Sequence, residues 1–323
     1  MIRVLLVTTW DTACGIAEHS AMLKEAVERA DSEIEVIPSP EILDPDSPAF
    51  RAIDVLHLNY QANLHSRWTA EKIHAARSSG LYKAVIVTYH DTGVPNSDQC
   101  KSVINAADFA VVHEPFDDLP FNKTQYWRMG VPAGHNGKRY EPFATGYWKA
   151  WPEQPVLGTV GFPFPWKCYD QLAMVTAKAG WALFLVAPDS TPEQRKQWSA
   201  LNPAIYVSAN FVPRRDVVGL LSNCDATAFT YVTHNTGQSG AILQGIAARK
   251  PVIALSTCRQ FRALHGDDVG HRAIRWATTF EDVYDLLINM PIQRVDPKVV
   301  ALAEQDSWER LGKKYTELYR SLA

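Results

Sequence analysis

A lysine in the C-terminal half of this sequence stands where it can act on a phosphate group. The loop from Gly161 to Lys167 follows a run of apolar residues and precedes a helix-forming segment. A cation in such a loop can neutralise the charge that develops on a leaving diphosphate. Gly15, after the first apolar run of the chain, marks a second turn at which the backbone can approach a ligand closely.

A second anion-binding pattern lies between Asp225 and Asp267, a span without aspartate or glutamate. Within it, residues Gln238–Ala241 lead from an apolar run into a predicted helix, whose first N–H groups favour a negatively charged ligand. Arg249 and Lys250 add positive charge to the same span. The pattern therefore favours an anionic ligand over a metal ion.

The elements that must position these segments are short apolar runs that alternate with longer amphipathic stretches. Continuous apolar runs predict strands buried on both faces, and hence parallel sheets flanked by helices. The predicted strands are Arg3–Thr8, Glu33–Ile37, Asp54–Leu58, Ala84–Tyr89, Phe109–His113, Val156–Gly161, Ala182–Ala187, Ala204–Ser208, Asp225–Thr230 and Pro251–Leu255. Thr191 followed by Pro192 predicts the start of a helix. Since the alternation restarts in mid-chain, we expect two Rossmann-like α/β domains that face a cleft.

Length and composition fit this two-domain architecture. The 323 residues suffice for an N-terminal domain over residues 1–150 and a C-terminal domain over residues 151–305. With 46% hydrophobic and 21% charged residues, the chain is not of a disordered, collagen-like or coiled-coil class. The five cysteines form no C-x-x-C pair, and Asp44 and Asp46 have no companion ligand, so no metal is predicted. Without a signal segment or a long apolar run, we expect a cytoplasmic protein.

Five segments, in their order along the chain, resemble retaining nucleotide-sugar glycosyltransferases of the GT-B fold, in the group-one family. They are Gly15-Ile-Ala-Glu-His-Ser20, Val87-Thr-Tyr-His-Asp91, Gly161 to Lys167, Gln244-Gly-Ile-Ala-Ala-Arg-Lys-Pro-Val-Ile-Ala254, and Ser307-Trp-Glu-Arg-Leu311 with Tyr315 and Tyr319. The resemblance covers most of the chain. It implies two Rossmann-like domains and a closing helix, residues 306–323, that returns to the N-terminal domain.

The same resemblance implies an activity and its residues. A hexose would pass, with retention, from a nucleoside-diphosphate sugar, with UDP favoured, to a saccharide, lipid-linked or other hydroxyl acceptor, without a metal or other cofactor. The catalytic residues would be His90, Asp91 and Lys167. The donor-binding residues would be Gly15, Ile16, Glu18, Lys167, Phe211, Arg215, Gln238, Ser239, Gly240, Ala241 and Gln244.

The sequence departs from the family pattern at the donor site. Thr236 and Gln244 replace the two glutamates that the family carries eight positions apart, and Phe162 replaces its diphosphate-binding arginine. Gln244 can still bond a ribose hydroxyl, although a neutral amide makes a weaker bond than a carboxylate. Arg214 or Arg215 can supply the missing guanidinium.

Two alternative functions stay open. Between Phe121 and Trp151, aromatic residues interleave with lysines and arginines, and Glu141 is the one acid. Such a stretch can stack on extruded bases, as in a DNA glycosyltransferase acting on a hydroxymethylated base, or it can be a linker whose aromatics pack between domains. The missing glutamates also allow a catalytically silent protein that binds a nucleotide sugar or a partner.

Overall fold

The computed structural model describes residues 1–10, 12, 14–40, 53–61, 69–90, 98–113, 123–134, 153–232, 238–293 and 295–323. The chain divides into two compact units. Unit 1 comprises Met1–Gly130, Asn235–Gln238 and Trp308–Ala323, and unit 2 comprises Val131–His234 and Ser239–Ser307.

Unit 1 is built on a parallel sheet. Its described strands are β1 (Ile2–Val7), β2 (Ile34–Ser39), β3 (Val55–Tyr60), β4 (Ala84–Tyr89), β5 (Phe109–Val112) and β6 (Thr124–Tyr126), in the spatial order β2-β1-β3-β4-β5-β6. Helices α1 (Gly15–Ala30), α2 (Ala70–Ser78) and α3 (Asp98–Ala106) connect them. All six positions of β3 and of β4 are buried, as expected for strands covered on both faces.

Unit 2 repeats this arrangement. Its described strands are β7 (Val156–Val160), β8 (Ala182–Val186), β9 (Ile205–Ser208), β10 (Ala226–Phe229), β11 (Val252–Leu255) and β12 (Ile274–Ala277), in the order β12-β11-β10-β7-β8-β9, and all neighbours are parallel. Its helices are α4 (Tyr169–Lys178), α5 (Pro192–Leu201), α6 (Arg214–Asn223), α7 (Gly240–Ala247), α8 (Arg262–His265), α9 (Asp268–Ala273), α10 (Phe280–Asn289) and α11 (Pro297–Gln305). At the start of α5, Thr191 and Gln194 form the reciprocal bonds of a capping box, which confirms the predicted helix start.

The last helix, α12 (Trp308–Leu322), follows unit 2 in the chain but belongs to unit 1, where it packs on α1. Gly312 permits this approach, because a Cβ there would lie 2.7 Å from both Cβ and the carbonyl oxygen of Ala26. The closing helix predicted from the sequence is confirmed.

A buried polar network fixes α12 to the sheet of unit 1. His57 is fully buried and is bonded to Tyr319 Oη at 2.6 Å and to Thr88 Oγ1 at 2.8 Å. Thr88 Oγ1 in turn is bonded to Tyr315 Oη at 2.8 Å. Burial lowers the pKa of His57 to about 3, so its imidazole is neutral. The two tyrosine hydroxyls thus tie the helix to side chains of β3 and β4.

The ten predicted strands are confirmed, with ends that differ by at most two residues, whereas β6 and β12 were not predicted. Strand β6 lies within the stretch interpreted as a linker or a base-stacking segment. Trp127, just after it, packs on the unit 1 core with its ring centroid 4.9 Å from that of Tyr315. Among the helices of the described residues, none is both long and apolar enough to cross a membrane.

Candidate active site

The amine of Lys167 is buried at the carboxyl end of the second sheet. After β7 the chain passes through a 3-10 turn, Pro165–Lys167, and a left-handed residue, Cys168 (φ 53°), before α4 begins. Lys167 is 8% exposed, and its Nζ donates a hydrogen bond to Tyr231 Oη at 3.0 Å. Burial disfavours the charged form and lowers the pKa of Lys167 to about 7. Near neutral pH, an anionic ligand would therefore draw this amine into its charged form.

Gly161 makes room for this amine. Its φ of 141° is one that L residues rarely adopt, and a Cβ there would lie 2.0 Å from Lys167 Nζ. Tyr169 Oη donates to the carbonyl of Gly161 at 2.9 Å, which holds the peptide in place. The spacing of glycine and lysine in the sequence thus has a steric reason.

Tyr231 connects Lys167 to the start of α7. It is 1% exposed, and burial raises the pKa of its hydroxyl, whereas the neighbouring Ser239 side chain acts in the opposite direction. Ser239 is the N-cap of α7 but gives no side-chain bond to the helix, whose first turn contains no acid. No described atom lies within 4 Å of the place that a Cβ of Gly240 would take, and Ala241 is half-buried. Free N–H groups, open space and a nearby amine suit a phosphate.

Two glutamines near the start of α7 have buried atoms without a hydrogen-bond partner among the described residues: Gln244 Oε1 and Gln238 Nε2. Gln238, which belongs to unit 1, accepts a hydrogen bond from the Met129 N–H through Oε1 at 2.7 Å. An unpaired buried polar group costs roughly 1–3 kcal/mol. A ligand that bonds to either atom would recover that free energy.

Phe211 precedes α6, and Arg215 lies in its first turn. The Phe211 side chain is 45% exposed, and Arg215 is exposed. In the part of the chain that the structure describes, no hydrogen bond or cation–π contact joins either residue to the buried amine. At the position of the family's arginine, Phe162 lies beside Phe164, which stacks on Trp166 at 4.4 Å between ring centroids. This loop therefore presents aromatic surface where the family pattern has a charge.

In unit 1, the predicted residues of the first turn follow β1. Gly15 opens α1, and no described atom lies within 4 Å of the place that a Cβ would take. Ile16 is buried in this turn, and Glu18 is half-buried. The turn thus leaves space at Gly15 that no described protein atom fills.

His90 follows β4, is 8% exposed and lies in a cluster of three histidines. Its ring centroid is 4.4 Å from that of His19 in α1 and 4.8 Å from that of His113 after β5. His90 Nε2 is hydrogen-bonded to Asn59 Oδ1. His113 Nδ1 is bonded to the Trp127 carbonyl at 2.7 Å, and burial lowers the pKa of His113 to about 4, so this ring is neutral.

Sequence reasoning does not assign Tyr231, His19 or His113 to a site. In the sequence, His113 stands out only as part of an incomplete metalloprotease pattern with the next residue, Glu114. All three lie at the carboxyl ends of parallel strands or in the helix that follows. Ligand-binding sites of open parallel α/β sheets lie at these strand ends. Asp91 and residues 135–152, with most of the basic aromatic stretch, lie outside the described residues, so their roles stay predictions.

Comparison with known proteins gives matches at the level of structure. No protein-family model and no curated protein match the sequence. Sucrose-phosphate synthase from Thermosynechococcus elongatus has a TM-score of 0.70 at 16% identity, over 100% of this chain and 99% of that one. Anabaena HepE, in complex with UDP and glucose, has a TM-score of 0.67 at 14% identity, over 99% and 100%. The trehalose-6-phosphate synthase OtsA has a TM-score of 0.68 at 10% identity, over 99% of each chain.

At these identities the likeness establishes the fold. It agrees with two parallel sheets, each described with six strands and alternating helices, and with a last helix that belongs to the first unit. The chain therefore has the GT-B fold of two Rossmann-like domains.

Proposed function

We propose that this protein is a glycosyltransferase that moves a hexose, with retention, from a nucleoside-diphosphate sugar to a hydroxyl acceptor. The observation that carries the proposal is the buried amine of Lys167, which donates to Tyr231, whose hydroxyl neighbours Ser239 at the acid-free start of α7. HepE, which shares the fold, was solved with UDP and with UDP-glucose. This supports UDP as the nucleotide.

The diphosphate would bind at Lys167 and at the first N–H groups of α7, from Gly240 and Ala241. When the bond between the sugar and the diphosphate breaks, negative charge develops on the departing oxygen. The Lys167 ammonium and the positive end of the α7 dipole would stabilise that charge. The protonated Lys167 amine and the N-terminus of α7 supply the positive charge. The proposed reaction therefore needs no metal ion at the diphosphate and no cofactor besides the donor.

The rest of the nucleotide would be held by side chains of unit 2. Gln244 Oε1, a buried acceptor without a described partner, suits a ribose hydroxyl, which has a proton to donate. The exposed ring of Phe211 offers an apolar face to the base, and Arg215 a charge for a phosphate oxygen. A carboxylate at Gln244 would bind the ribose more strongly, so we expect modest donor affinity.

We assign the acceptor and the transferred sugar to unit 1. Glu18 lies in the first turn of α1, which Gly15 and Ile16 open, and the His90 ring packs on His19 of the same helix. We place Asp91 with them on the sequence pattern. With retention, the new bond forms on the face that the diphosphate leaves. The departing oxygen can then accept the proton that the acceptor hydroxyl loses, while these side chains orient the two hydroxyl-rich groups.

The test is release of UDP from UDP-glucose by the purified protein, with and without a chelator. Lys167→Met should abolish release and leave the protein folded. The matched control is Lys178→Met, because Lys178 lies on the surface of unit 2, where its Nζ donates to Glu281. Equal release by wild type and Lys167→Met would contradict the proposal.

The silent alternative is tested by binding. A donor present at 100 times its dissociation constant stabilises a protein by about 2.7 kcal/mol, which thermal unfolding detects easily. If UDP-, GDP-, ADP- and dTDP-sugars all leave the unfolding temperature unchanged, the protein does not use such donors on its own. Binding without turnover, with several acceptors present, would favour the silent protein.

A further inference from the structure

We propose that unit 1 contains a binding site for one zinc-like divalent cation, with His19, His90 and His113 as its three protein ligands. One ring nitrogen of each histidine lies within 4.8 Å of the others. The three residues are 1%, 8% and 3% exposed. They come from α1 and from the ends of β4 and β5, so the fold brings together side chains that are far apart in the sequence.

The tautomer of His113 supports the site. The Trp127 carbonyl can only accept a hydrogen bond, so His113 Nδ1, at 2.7 Å, must carry the proton. His113 Nε2 then has a lone pair, and this buried atom has no hydrogen-bond partner among the described residues. A histidine that binds zinc typically donates its other N–H to a carbonyl in this way.

Asn59 arranges the other two rings. Its Oδ1 accepts from His90 Nε2, which leaves the lone pair of His90 on Nδ1. Its Nδ2 donates to Ser20 Oγ at 2.6 Å and faces His19 Nδ1 at 3.2 Å. To bind a cation through Nε2, His19 must carry its proton on Nδ1. The 3.2 Å contact with Asn59 is therefore lost when the cation binds.

The distances suit an ion after a small contraction. Nitrogens that share a tetrahedral zinc ion at about 2.0–2.1 Å lie about 3.4 Å apart, so the nitrogens must approach one another by at most about 1.4 Å. Side-chain rotation can supply this. Three imidazoles with a fourth position left to water favour zinc over magnesium or calcium, which prefer oxygen ligands.

The site is separate from the residues assigned to the diphosphate, which belong to unit 2. Of the residues assigned to the sugars it takes only His90, so with zinc bound the sugars would be oriented by Glu18 and Asp91. Zinc binding does not rest on the proposed function and is measured without any sugar donor. A failure of one proposal therefore leaves the other standing.

The test is calorimetric titration of the chelator-treated protein with zinc chloride, together with the visible absorption of cobalt bound in its place. We expect one ion per chain and a loss of about 100-fold in affinity in His113→Gln. The control is His271→Gln, which breaks a second histidine pair, His265 and His271, with ring centroids 5.1 Å apart in unit 2. Its affinity should equal that of wild type.

We expect Asn59→Asp to raise the zinc affinity, whereas His113→Gln lowers it. A cluster with a merely structural role would not produce this rise. A carboxylate can accept from His90 Nε2 and from His19 Nδ1 at once, so zinc affinity should rise about tenfold. Absence of zinc binding, or equal binding by wild type and His113→Gln, would overturn the proposal. If His113→Gln does not fold, unchanged or weaker binding by Asn59→Asp would overturn it.

Discussion

Replacing Gly161 with alanine tests whether the Lys167 amine must occupy its observed position for the donor to react. The new Cβ would lie 2.0 Å from Lys167 Nζ and 3.1 Å from Lys167 Cε. Non-bonded heavy atoms need about 3.5 Å, so the amine has to move by roughly 1.5 Å. It then loses its 3.0 Å bond to Tyr231.

Two costs of different kind follow from this one methyl group. The φ of 141° at position 161 strains an alanine by about 1–3 kcal/mol, which lowers the free energy of unfolding. Displacing one group that stabilises the developing charge lowers turnover by about 10²–10³, or roughly 2.7–4 kcal/mol of transition-state stabilisation. The first cost concerns the fold, and the second concerns the reaction.

Gly180→Ala separates the two costs. Gly180 also has a positive φ, 74°, but no described atom lies within 4 Å of the place that its Cβ would take. The assay measures the unfolding temperature, the dissociation constant of UDP and the rate of UDP release for both variants. We expect both proteins to lose stability, and only Gly161→Ala to lose affinity and turnover.

Wild-type turnover by a folded Gly161→Ala protein would falsify the steric account of the glycine. Equal losses of turnover in the two variants would attribute the effect to backbone strain instead. In either case, the steric fit of the amine against Gly161 would no longer explain the spacing of Gly161 and Lys167.

Four further predictions follow from the same contacts. Because Lys167 has a pKa of about 7 in the folded protein, UDP affinity should fall about tenfold per pH unit above that value, measured by calorimetry between about pH 6 and 9. The unfolded chain keeps this lysine protonated up to about pH 10.4, so between about pH 7 and 10.4 it binds more protons than the folded chain. The free energy of unfolding should therefore rise with pH over that range. Urea unfolding should show this rise in the wild type and not in Lys167→Met. Gly312→Val should destabilise unit 1 by about 1–3 kcal/mol in denaturant unfolding, because its side chain meets the backbone of Ala26. Gly240→Ala should keep the unfolding temperature, since its Cβ meets no described protein atom, yet weaken UDP binding in calorimetry if phosphate occupies that space.

Predicting the strands from the sequence succeeds where a strand is covered on both faces. The buried runs of β3 and β4 have a continuous apolar signal, and both were predicted. The two strands that were missed lie at sheet edges, as do β2 and β9, which were predicted because they keep β-branched apolar residues such as Val36 and Val207. In β6, Gln125 and Tyr126 are exposed, and in β12, Arg275 and Trp276 are half-buried. An edge strand has fewer apolar neighbours, so it needs fewer apolar residues and leaves a weaker pattern.

The position of Lys167 could be predicted, but its environment could not. A cation between a strand and a helix is visible in the sequence, whereas burial of the amine against Tyr231 depends on where β10 lies beside β7. The histidine cluster shows the same limit, because His19 and His113 meet only through the order of the strands. Pairings of this kind arise from topology, which local patterns do not contain.

Helix α12 is synthesised after the whole of unit 2, although it completes unit 1. Until then, the face of the first sheet that Leu311 and Tyr319 cover stays in contact with water, and His57 has no tyrosine hydroxyl to bond. Unit 2 can therefore reach its native packing during synthesis before unit 1 does. A chain cut before Trp308 would hold a complete unit 2 and a unit 1 with an exposed apolar face, which is a surface for chaperones and for aggregation. Unit 1 is thus the first unit that the ribosome begins and the last that can fold completely.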